Sequence, residues 1–248
     1  MNRKWFQINI TVFVLFFAVI PGYSQFYLDA EGGAAFSGYN DIRIPGDGGD
    51  QFSAYKELSP RVMPFARLRA GYIINKRHDL SGLINVINLK YEGQLNRTIN
   101  FNGTSFPAFT PLNVQYKFNN YRFTYRYHFV AQENIVFGAG LTVFVRDAAI
   151  KVEGGGLSST RSNIGPVPLI NLKLDWRFSK YMGLFAETDF LFSKRGRAED
   201  FSIALQFYPD KHLKLRLGYR LIEGGSDGSV YNFTLIHFLS FAITFILE

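Results

Sequence analysis

The feature that most constrains this chain is a strict alternation of apolar and polar residues over long segments. In residues 121–129 one parity holds Tyr121, Phe123, Tyr125, Tyr127 and Phe129. The other parity holds Arg122, Thr124, Arg126 and His128. Because successive side chains of a β-strand point to opposite faces, this segment predicts a strand with one aromatic face and one polar face.

The same alternation recurs along the chain, and turn residues separate its segments. After Gln25 there is no sustained helical period and no apolar run near the ~18 residues of a transmembrane helix. We place the strands at 26–36, 61–74, 80–93, 113–130, 135–152, 167–178, 181–193, 199–208, 212–223 and 229–247. In the fourth strand the apolar parity changes at Asn119–Asn120, which predicts a β-bulge there.

The connections between these strands alternate between short and long. Short links fall at Asn75–Asp79, Ala131–Asn134, Ser179–Lys180 and Pro209–Lys211, and long or Gly-rich links fall at 37–60, 94–112, 153–166, 194–198 and 224–228. Outer-membrane barrels have tight periplasmic turns and longer external loops. We therefore expect the short links and both termini on the periplasmic side, and the long links outside the cell.

A soluble β-sandwich also alternates, so further features must decide between the two folds. Many segments are longer than the five or six residues that are typical of soluble strands. Aromatic residues make up 17% of the chain, and several lie near strand ends, as interfacial girdles require: Tyr72, Trp176, Phe178, Phe207, Tyr231 and Phe245. The predicted fold class is all-β, a closed antiparallel transmembrane β-barrel of about ten strands, in a range of roughly 8–12, after a cleaved signal peptide. A secreted sandwich is the alternative.

The N-terminus predicts export. Arg3 and Lys4 form a basic region, an apolar run follows from Ile8 to Ile20, and Pro21 and Gly22 end it. The run is too short to cross a bilayer as a helix. We therefore expect a signal peptide over residues 1–24 and an outer-membrane barrel over residues 25–248.

The composition excludes several kinds of chemistry. With no Cys, disulfides, thiolate metal sites and Cys nucleophiles are ruled out, and four scattered His residues, at 78, 128, 212 and 237, show no metal-ligand spacing. Removing the signal leaves 25 bases against 20 acids. An exported basic chain is expected to meet anionic lipid headgroups rather than nucleic acid. We expect no cofactor and no metal.

Strand parity assigns the charged residues to the barrel interior. Candidate interior bases are Arg67, Arg69, Lys90, Arg122, Arg126, Arg146, Lys173, Arg177, Lys214, Arg216 and Arg220. Candidate interior acids are Asp29, Glu31, Glu92, Asp175, Glu187, Asp189 and Asp200. The polar cluster of greatest interest within this set is Arg122, Arg126, Arg146, Lys173, Asp175, Glu187, Asp189, Arg216 and Arg220. These groups either fill a narrow barrel as a ladder of ion pairs or line an ion pathway or substrate site. No catalytic residue is assigned.

On the signal, the alternation, the loop asymmetry and the amphipathic last strand, the chain resembles the small outer-membrane β-barrel proteins of Gram-negative bacteria, of the OmpA and OmpW-like, porin-like kind. Such barrels usually end on an aromatic residue, whereas here Phe245 is followed by Ile246, Leu247 and Glu248. The resemblance implies the bacterial outer membrane as the location. Membrane lipids, lipopolysaccharide and the barrel assembly machinery are the implied partners, and the barrel is expected to be a monomer.

Function is narrowed but not fixed by these observations. We expect a small outer-membrane barrel that is either structural or a narrow conduit for small solutes or ions, and not an enzyme. The alternative is a barrel enzyme acting on envelope lipid, of the lipid A acyltransferase or deacylase type, or an omptin-like protease. Such enzymes carry a catalytic His near the outer rim, whereas the predicted topology places none of the four His residues there.

Overall fold

The computed structural model describes residues 24–194 and 196–247. The predicted signal peptide lies outside the described residues, apart from Ser24. Within the described part the regular elements are all strands: β1 (Ser24–Arg43), β2 (Phe52–Ser53), β3 (Ser59–Pro60), β4 (Met63–Ile74), β5 (His78–Val86), β6 (Asn88–Gln94), β7 (Ile99–Phe101), β8 (Thr104–Phe106), β9 (Pro111–Ala131), β10 (Ile135–Gly154), β11 (Leu157–Trp176), β12 (Met182–Ser193), β13 (Gly196–Phe207), β14 (Leu213–Ser226) and β15 (Tyr231–Leu247). None of the described residues forms a helix long and apolar enough to span a membrane.

The long strands close into one antiparallel barrel. Each long strand pairs with its sequence neighbour, β15 pairs with β1, and β9 pairs with β10. The adjoining β5 and β6 both pair with β9 and act as a single barrel strand interrupted at Ile87. The amide of Ile87 donates to the side-chain Oδ1 of Asn119 at 3.2 Å instead of to a backbone carbonyl. The predicted closed barrel of ten strands is thereby confirmed.

The two ends of the barrel differ. One end, the terminal end, carries Ser24, Leu247 and the short turns after β4, β9, β11 and β13. The other, the loop end, carries the connections after β1, β6, β10, β12 and β14. The predicted long loop at 153–166 is wrong, because β10 and β11 run on as paired strands to a two-residue turn. Gly155 and Gly156 occupy that turn with φ of 57° and 77°, a left-handed conformation that glycine adopts without a Cβ clash.

The outer surface carries an apolar belt. Large apolar side chains exposed on it include Leu68 (61%), Phe123 (57%), Leu141 (67%), Leu217 (63%) and Leu239 (59%). At the terminal end an aromatic girdle borders this belt, made by Phe129, Trp176, Phe178, Tyr181, Phe207 and Phe245. On β9 the belt spans residues 121–129, which cover about 20 Å along the barrel axis because the strand is tilted. That height suits the apolar band of an outer-membrane barrel.

From this belt towards the loop end, which we call above, the inner and outer faces of the barrel strands exchange polar and apolar side chains. On β9 the interior residues run from His128 to Asn120 as polar groups and continue from Phe118 to Leu112 as apolar groups. The even-numbered residues stay inside throughout, and the pairing with β10 holds one register from Gly138 to Gly154. The predicted bulge at Asn119–Asn120 is therefore wrong: the sequence changes parity because the solvent changes, not because the strand slips. The register shift in this pair lies near Phe129 instead.

The same level can be found on the other strands. On each of these strands the interior side chains change from polar to apolar towards the loop end. The polar residue and the apolar residue on either side of this change are, strand by strand, Glu31 and Ala35, Arg67 and Phe65, Asn85 and Ile87, Thr142 and Phe144, Asn171 and Leu169, Asp189 and Leu191, Asp200 and Ala198, Arg220 and Ile222, and Ser240 and Phe238. We call this level the boundary. Below it the barrel is apolar outside and charged inside, and above it the barrel has the ordinary pattern of a soluble protein.

A hydrophobic core packs inside the barrel above the boundary. The β7–β8 hairpin inserts Ile99, Phe101 and Phe106 into it, each at most 1% exposed. Phe52 packs edge-on against Phe101, with ring centroids 6.5 Å apart. Arg97, at the base of the hairpin, donates to Gln51 O at 3.0 Å and to the Glu57 carboxylate. The hydrogen bonds from Arg97 hold the pKa of Glu57 below its usual range. The connections at the loop end are thus packed inside the barrel and are not open loops. We call β7, β8 and the residues around Phe52 the plug.

The face assignment predicts different costs for one substitution at two heights. Leu217→Arg places a charge in the middle of the apolar belt and should destabilise insertion by roughly 2–4 kcal/mol. Leu157→Arg, at the tip of the β10–β11 hairpin, should change stability by less than about 0.5 kcal/mol. The measurement is reversible folding into lipid vesicles. Equal costs at the two positions would contradict the placement of the belt.

Candidate functional site

The lumen below the boundary is filled by one connected set of charged side chains, which we call the lumen network. Arg126 is its centre and is fully buried. Its guanidinium donates to Asp79 Oδ2 at 2.6 Å, to Glu187 Oε1 at 2.5 Å and to Asn171 Oδ1 at 2.6 Å. These partners lie on β5, β12 and β11, so one side chain on β9 joins opposite walls of the barrel.

A second set of contacts crosses the lumen from β4. Arg69 Nη2 donates to Glu187 Oε2 at 2.6 Å, and Arg67 Nη2 lies 3.9 Å from the same oxygen. Arg67 also pairs with Glu31 on β1 at 2.8 Å. Glu187 thus receives three arginines from two strands, and all the groups involved are buried. Buried carboxylates are stable only with such partners.

The upper layer of the lumen network is centred on two aspartates. Arg122 donates to Asp189 at 2.7 Å and lies 2.5 Å from Asp200 Oδ2. Arg220 pairs with Asp200 through two hydrogen bonds of 2.6 Å, a bidentate geometry that fixes both planes. Asp189 also accepts from Thr142 at 2.7 Å. This layer is the floor of the apolar core above.

The lower layer closes the terminal end. Arg216 donates to Asp29 at 2.6 Å, and Lys214 donates to Asp175 at 2.7 Å. Gln206 and Tyr208 donate to the other oxygen of Asp175, at 2.8 Å and 2.9 Å. Both acids of this layer, Asp29 on β1 and Asp175 on β11, are thus neutralised by cations of β14.

Most of the predicted interior residues are brought together, and four are not. Of the predicted polar cluster, Arg122, Arg126, Lys173, Asp175, Glu187, Asp189, Arg216 and Arg220 belong to the lumen network. Arg146 faces inward but lies above the boundary, where it donates to Asn163 Oδ1 at 2.7 Å.

The predictions for Lys90, Glu92 and Arg177 as interior residues are wrong. Lys90 and Glu92 lie above the boundary on the outer face of β6, where Glu92 pairs with the exposed Arg61. The alternation of side chains is unbroken there, but above the boundary the outer face meets water and the inner face lines the apolar core. Arg177 lies in the turn after β11, where it donates to Ser179 O at 3.3 Å.

Asp79 is the main network residue that the sequence analysis missed. The predicted short link at Asn75–Asp79 includes it in a turn, whereas β5 begins at His78, one residue before Asp79. Asp79 is fully buried and accepts from Tyr27 at 2.9 Å as well as from Arg126, and Lys173 Nζ lies 3.6 Å away. Its parity with Ser81 and Asn85 was the available signal, and the turn residues before it obscured that signal.

Between the network and the plug lies a cleft of about 420 Å³. Its walls are mostly apolar and include Phe118, Phe144, Ile150, Leu169 and Ile222. Beside the cleft the sheet of the barrel wall is interrupted, because the pairing of β11 with β12 ends at Ile170 and Phe190. Val167 on one strand and Leu191 on the other line the cleft at this gap.

The four histidines stand apart from this cleft, and none of them is among its described lining residues. His78 hydrogen bonds to the Tyr125 hydroxyl at 2.9 Å near the terminal end, and His237 lies on the outer face, 2.5 Å from the Tyr219 hydroxyl. His128 is buried 3.6 Å from Asp79, and His212 lies at the terminal end beside β14. Residues 24–194 and 196–247 contain no group of three or more His, Asp or Glu that could hold a metal ion.

A closed barrel with an apolar belt outside and paired charges inside defines the class of the protein. Only a closed barrel satisfies strand backbones in lipid, and the inverted faces place this one in a membrane. The chain is an outer-membrane β-barrel protein of the bacterial outer membrane, and the resemblance to such barrels inferred from the sequence is confirmed.

Among the solved structures that are similar to this chain, one shares its fold with a TM-score above 0.5. The outer membrane protease OmpT from Escherichia coli is similar over 93% of this chain and 99% of its own, with a TM-score of 0.59 and 7% sequence identity. Ail of Yersinia pestis covers 90% of this chain and 99% of its own, with a TM-score of 0.40 and 11% identity. Neisserial surface protein A covers 89% and 96%, with a TM-score of 0.34 and 16% identity. No protein-family model matches the chain, and no curated protein matches it by sequence.

The network predicts an unequal response to two neutralised carboxylates. Asp79→Asn leaves Arg126 and Lys173 with less compensation in a dry lumen and should destabilise the refolded barrel by roughly 3–5 kcal/mol. Glu92→Gln removes an exposed pair and should cost less than about 1 kcal/mol. Adding Lys173→Met to Asp79→Asn should recover part of the loss, because it restores charge balance. Denaturant unfolding from vesicles measures all three, and a loss for Glu92→Gln as large as that for Asp79→Asn would refute the assignment.

Proposed function

We propose that this protein is a structural, closed barrel that anchors a folded cell-surface part in the outer membrane and does not conduct solutes. The observation that carries the proposal is the set of ion pairs that cross the lumen from β4 and β9 to β12 and β13. An ion that enters this layer must displace arginines held at 2.5–2.7 Å by buried carboxylates. A narrow conduit for small ions is the second candidate, and it requires this layer to open.

A second barrier supports the closed state. Above the network, the β7–β8 hairpin and the residues around Phe52 pack an apolar core inside the barrel. Asn102 N donates to Ile44 O at 2.7 Å and Asp50 N donates to Asn100 O at 3.1 Å, so the hairpin is tied to the connection after β1. The charged layer excludes apolar solutes and the apolar layer excludes ions.

The enzyme alternative receives less support from the geometry. Omptin-like and lipid A enzymes need a catalytic His near the outer rim; three of the four His residues lie at the terminal end, and His237, on the outer face at the boundary, contacts the Tyr219 hydroxyl. The adjacent acids Glu187 and Asp189 have the spacing of an acid–base pair, yet both are buried and accept hydrogen bonds from arginines. A carboxylate held by cations in this way is a poor proton acceptor for a substrate.

The proposal predicts silence in planar-bilayer recordings of the refolded protein. A variant with residues 97–108 replaced by Gly-Ser should also be silent, because the lumen network remains. Adding Arg122→Ser and Arg126→Ser to that deletion should produce discrete current steps. Steps from the unaltered protein would overturn the closed state and favour the conduit.

We further propose that the loop end faces the outside of the cell and that lipids, lipopolysaccharide and the barrel assembly machinery are partners of a monomeric barrel. Exposed polar strands above the boundary suit water outside the cell, and the apolar belt suits lipid. A single Cys at Ser158, in a chain without Cys, should react with a membrane-impermeant maleimide on intact cells. A Cys at Lys211, in the turn between β13 and β14 at the terminal end, should not react until the outer membrane is opened. The reverse pattern would invert the topology.

A further inference from the structure

We propose that the cleft above the lumen network binds a single-chain anionic amphiphile, with its head at Arg146 and its chain along the apolar walls. This inference goes beyond the closed-barrel proposal and does not depend on it. Four observations carry it: the break in the barrel wall, the apolar lining, the uncompensated arginines and the position of the opening at the boundary.

The break in the wall gives the cleft an entrance. β11 continues for thirteen residues, from Leu169 back to Leu157, beyond its last pair with β12. Over that stretch it pairs with β10 alone, and its other edge is open up to Thr160, whose carbonyl accepts from Asn102 at 3.2 Å. The opening therefore spans the wall between the boundary and the plug.

The arginines supply a positive charge that the protein itself does not neutralise. Arg146 hydrogen bonds to the neutral Asn163, and its Nε is buried without a hydrogen-bond partner. Arg161, whose side chain is exposed, also lines the cleft. A buried donor without an acceptor is costly, so an anion at this point satisfies a group that the fold leaves unpaired.

The acids on the opposite wall are mostly engaged. Asp200 is held by Arg122 and Arg220. Glu223 is paired with Arg197, and Asp227 lies 3.7 Å from Arg43. Glu199 also lines the cleft, from β13, whereas Arg146 and Arg161 line it from β10 and β11. The β10–β11 side of the cleft is therefore the positive one, and it selects an anionic head.

The opening lies where an amphiphile would meet it. The outer surface beside the gap stays apolar from the boundary towards the loop end: Phe192 on β12, just beyond the boundary, is 63% exposed, and Ile164 on β11, five residues beyond Leu169, is 69% exposed. On the neighbouring β10 and β13, residues at this height are charged, such as Asp147 and Glu199. A chain of an outer-leaflet lipid or a free fatty acid or alkyl phosphate can lie across this patch and enter the cleft, whose volume is that of a small-molecule site.

The test uses the full mature chain in phosphatidylcholine nanodiscs, with Ser193→Cys at the exposed rim carrying an environment-sensitive fluorophore. Octyl phosphate should shift its emission saturably, whereas octanol and octyltrimethylammonium, which have the same tail, should not. Arg146→Gln should weaken the binding of octyl phosphate at least about tenfold, the worth of a charge-assisted hydrogen bond. Lys151→Gln, on the outer face of the same strand, should leave it unchanged.

Three results would overturn the proposal. They are equal shifts from all three octyl compounds, an unchanged affinity in Arg146→Gln, and a shift by inorganic phosphate alone with the same dependence on Arg146, which would indicate a site for a soluble anion without a chain. Val167→Phe, which narrows the cleft but keeps Arg146, should abolish octyl phosphate binding, and retained binding there would also count against it. Conductance recorded on the same preparations tests the closed barrel separately from this site.

Discussion

The rest of the structure depends on a change of solvent along each barrel strand. Below the boundary the outside is lipid and the inside must satisfy polar groups; above it the outside is water and the inside is an apolar core. A strand that obeys both conditions exchanges the chemistry of its faces without changing its geometry, and β9 does so between Asn120 and Phe118. The ten barrel strands make the exchange at one level, so the residues of that level fix the height of the barrel in the membrane and the depth of the lumen network together.

The lumen network follows from that constraint. Arginine and carboxylate side chains turned away from lipid enter a narrow lumen, where an unpaired charge would be costly. The planar guanidinium can hold two or three carboxylates at once, and Arg126 and Arg122 do this across the barrel. The resulting contacts tie opposite walls together in a way that backbone pairing, which joins only neighbouring strands, does not. The same set of interactions therefore closes the lumen and stabilises the barrel.

The barrel and most of its interior could be predicted from the sequence because period-two alternation survives in every long strand. The positions of Asp189 and Arg220 in the alternation are enough to predict that they belong to the lumen network. Parity cannot reveal which face meets which solvent, and this is why Glu92 was placed in the lumen and why Asn119–Asn120 was interpreted as a bulge. The plug was also beyond reach, since the short β7 and β8 strands are fixed by contacts with Phe52 and Ile44 far along the chain. The partners of Arg126 lie 45 to 61 residues away, and only the closed barrel sets them side by side.

The gap between β11 and β12 has a basis in the sequence as well. Pro166 and Pro168 lie on β11 directly beyond its last pair with β12, opposite Val145 and Val143 of β10. Proline has no N–H to donate and is accepted in sheets where its nitrogen faces an unpaired edge. Two prolines at alternate positions therefore leave one edge of β11 without donors at the height where β12 would continue. The sheet is interrupted there because this edge lacks the donors needed to pair with β12. The same residues keep the edge from pairing with a strand of another chain. The interruption of the sheet beside the cleft thus follows from the residues of β11 themselves.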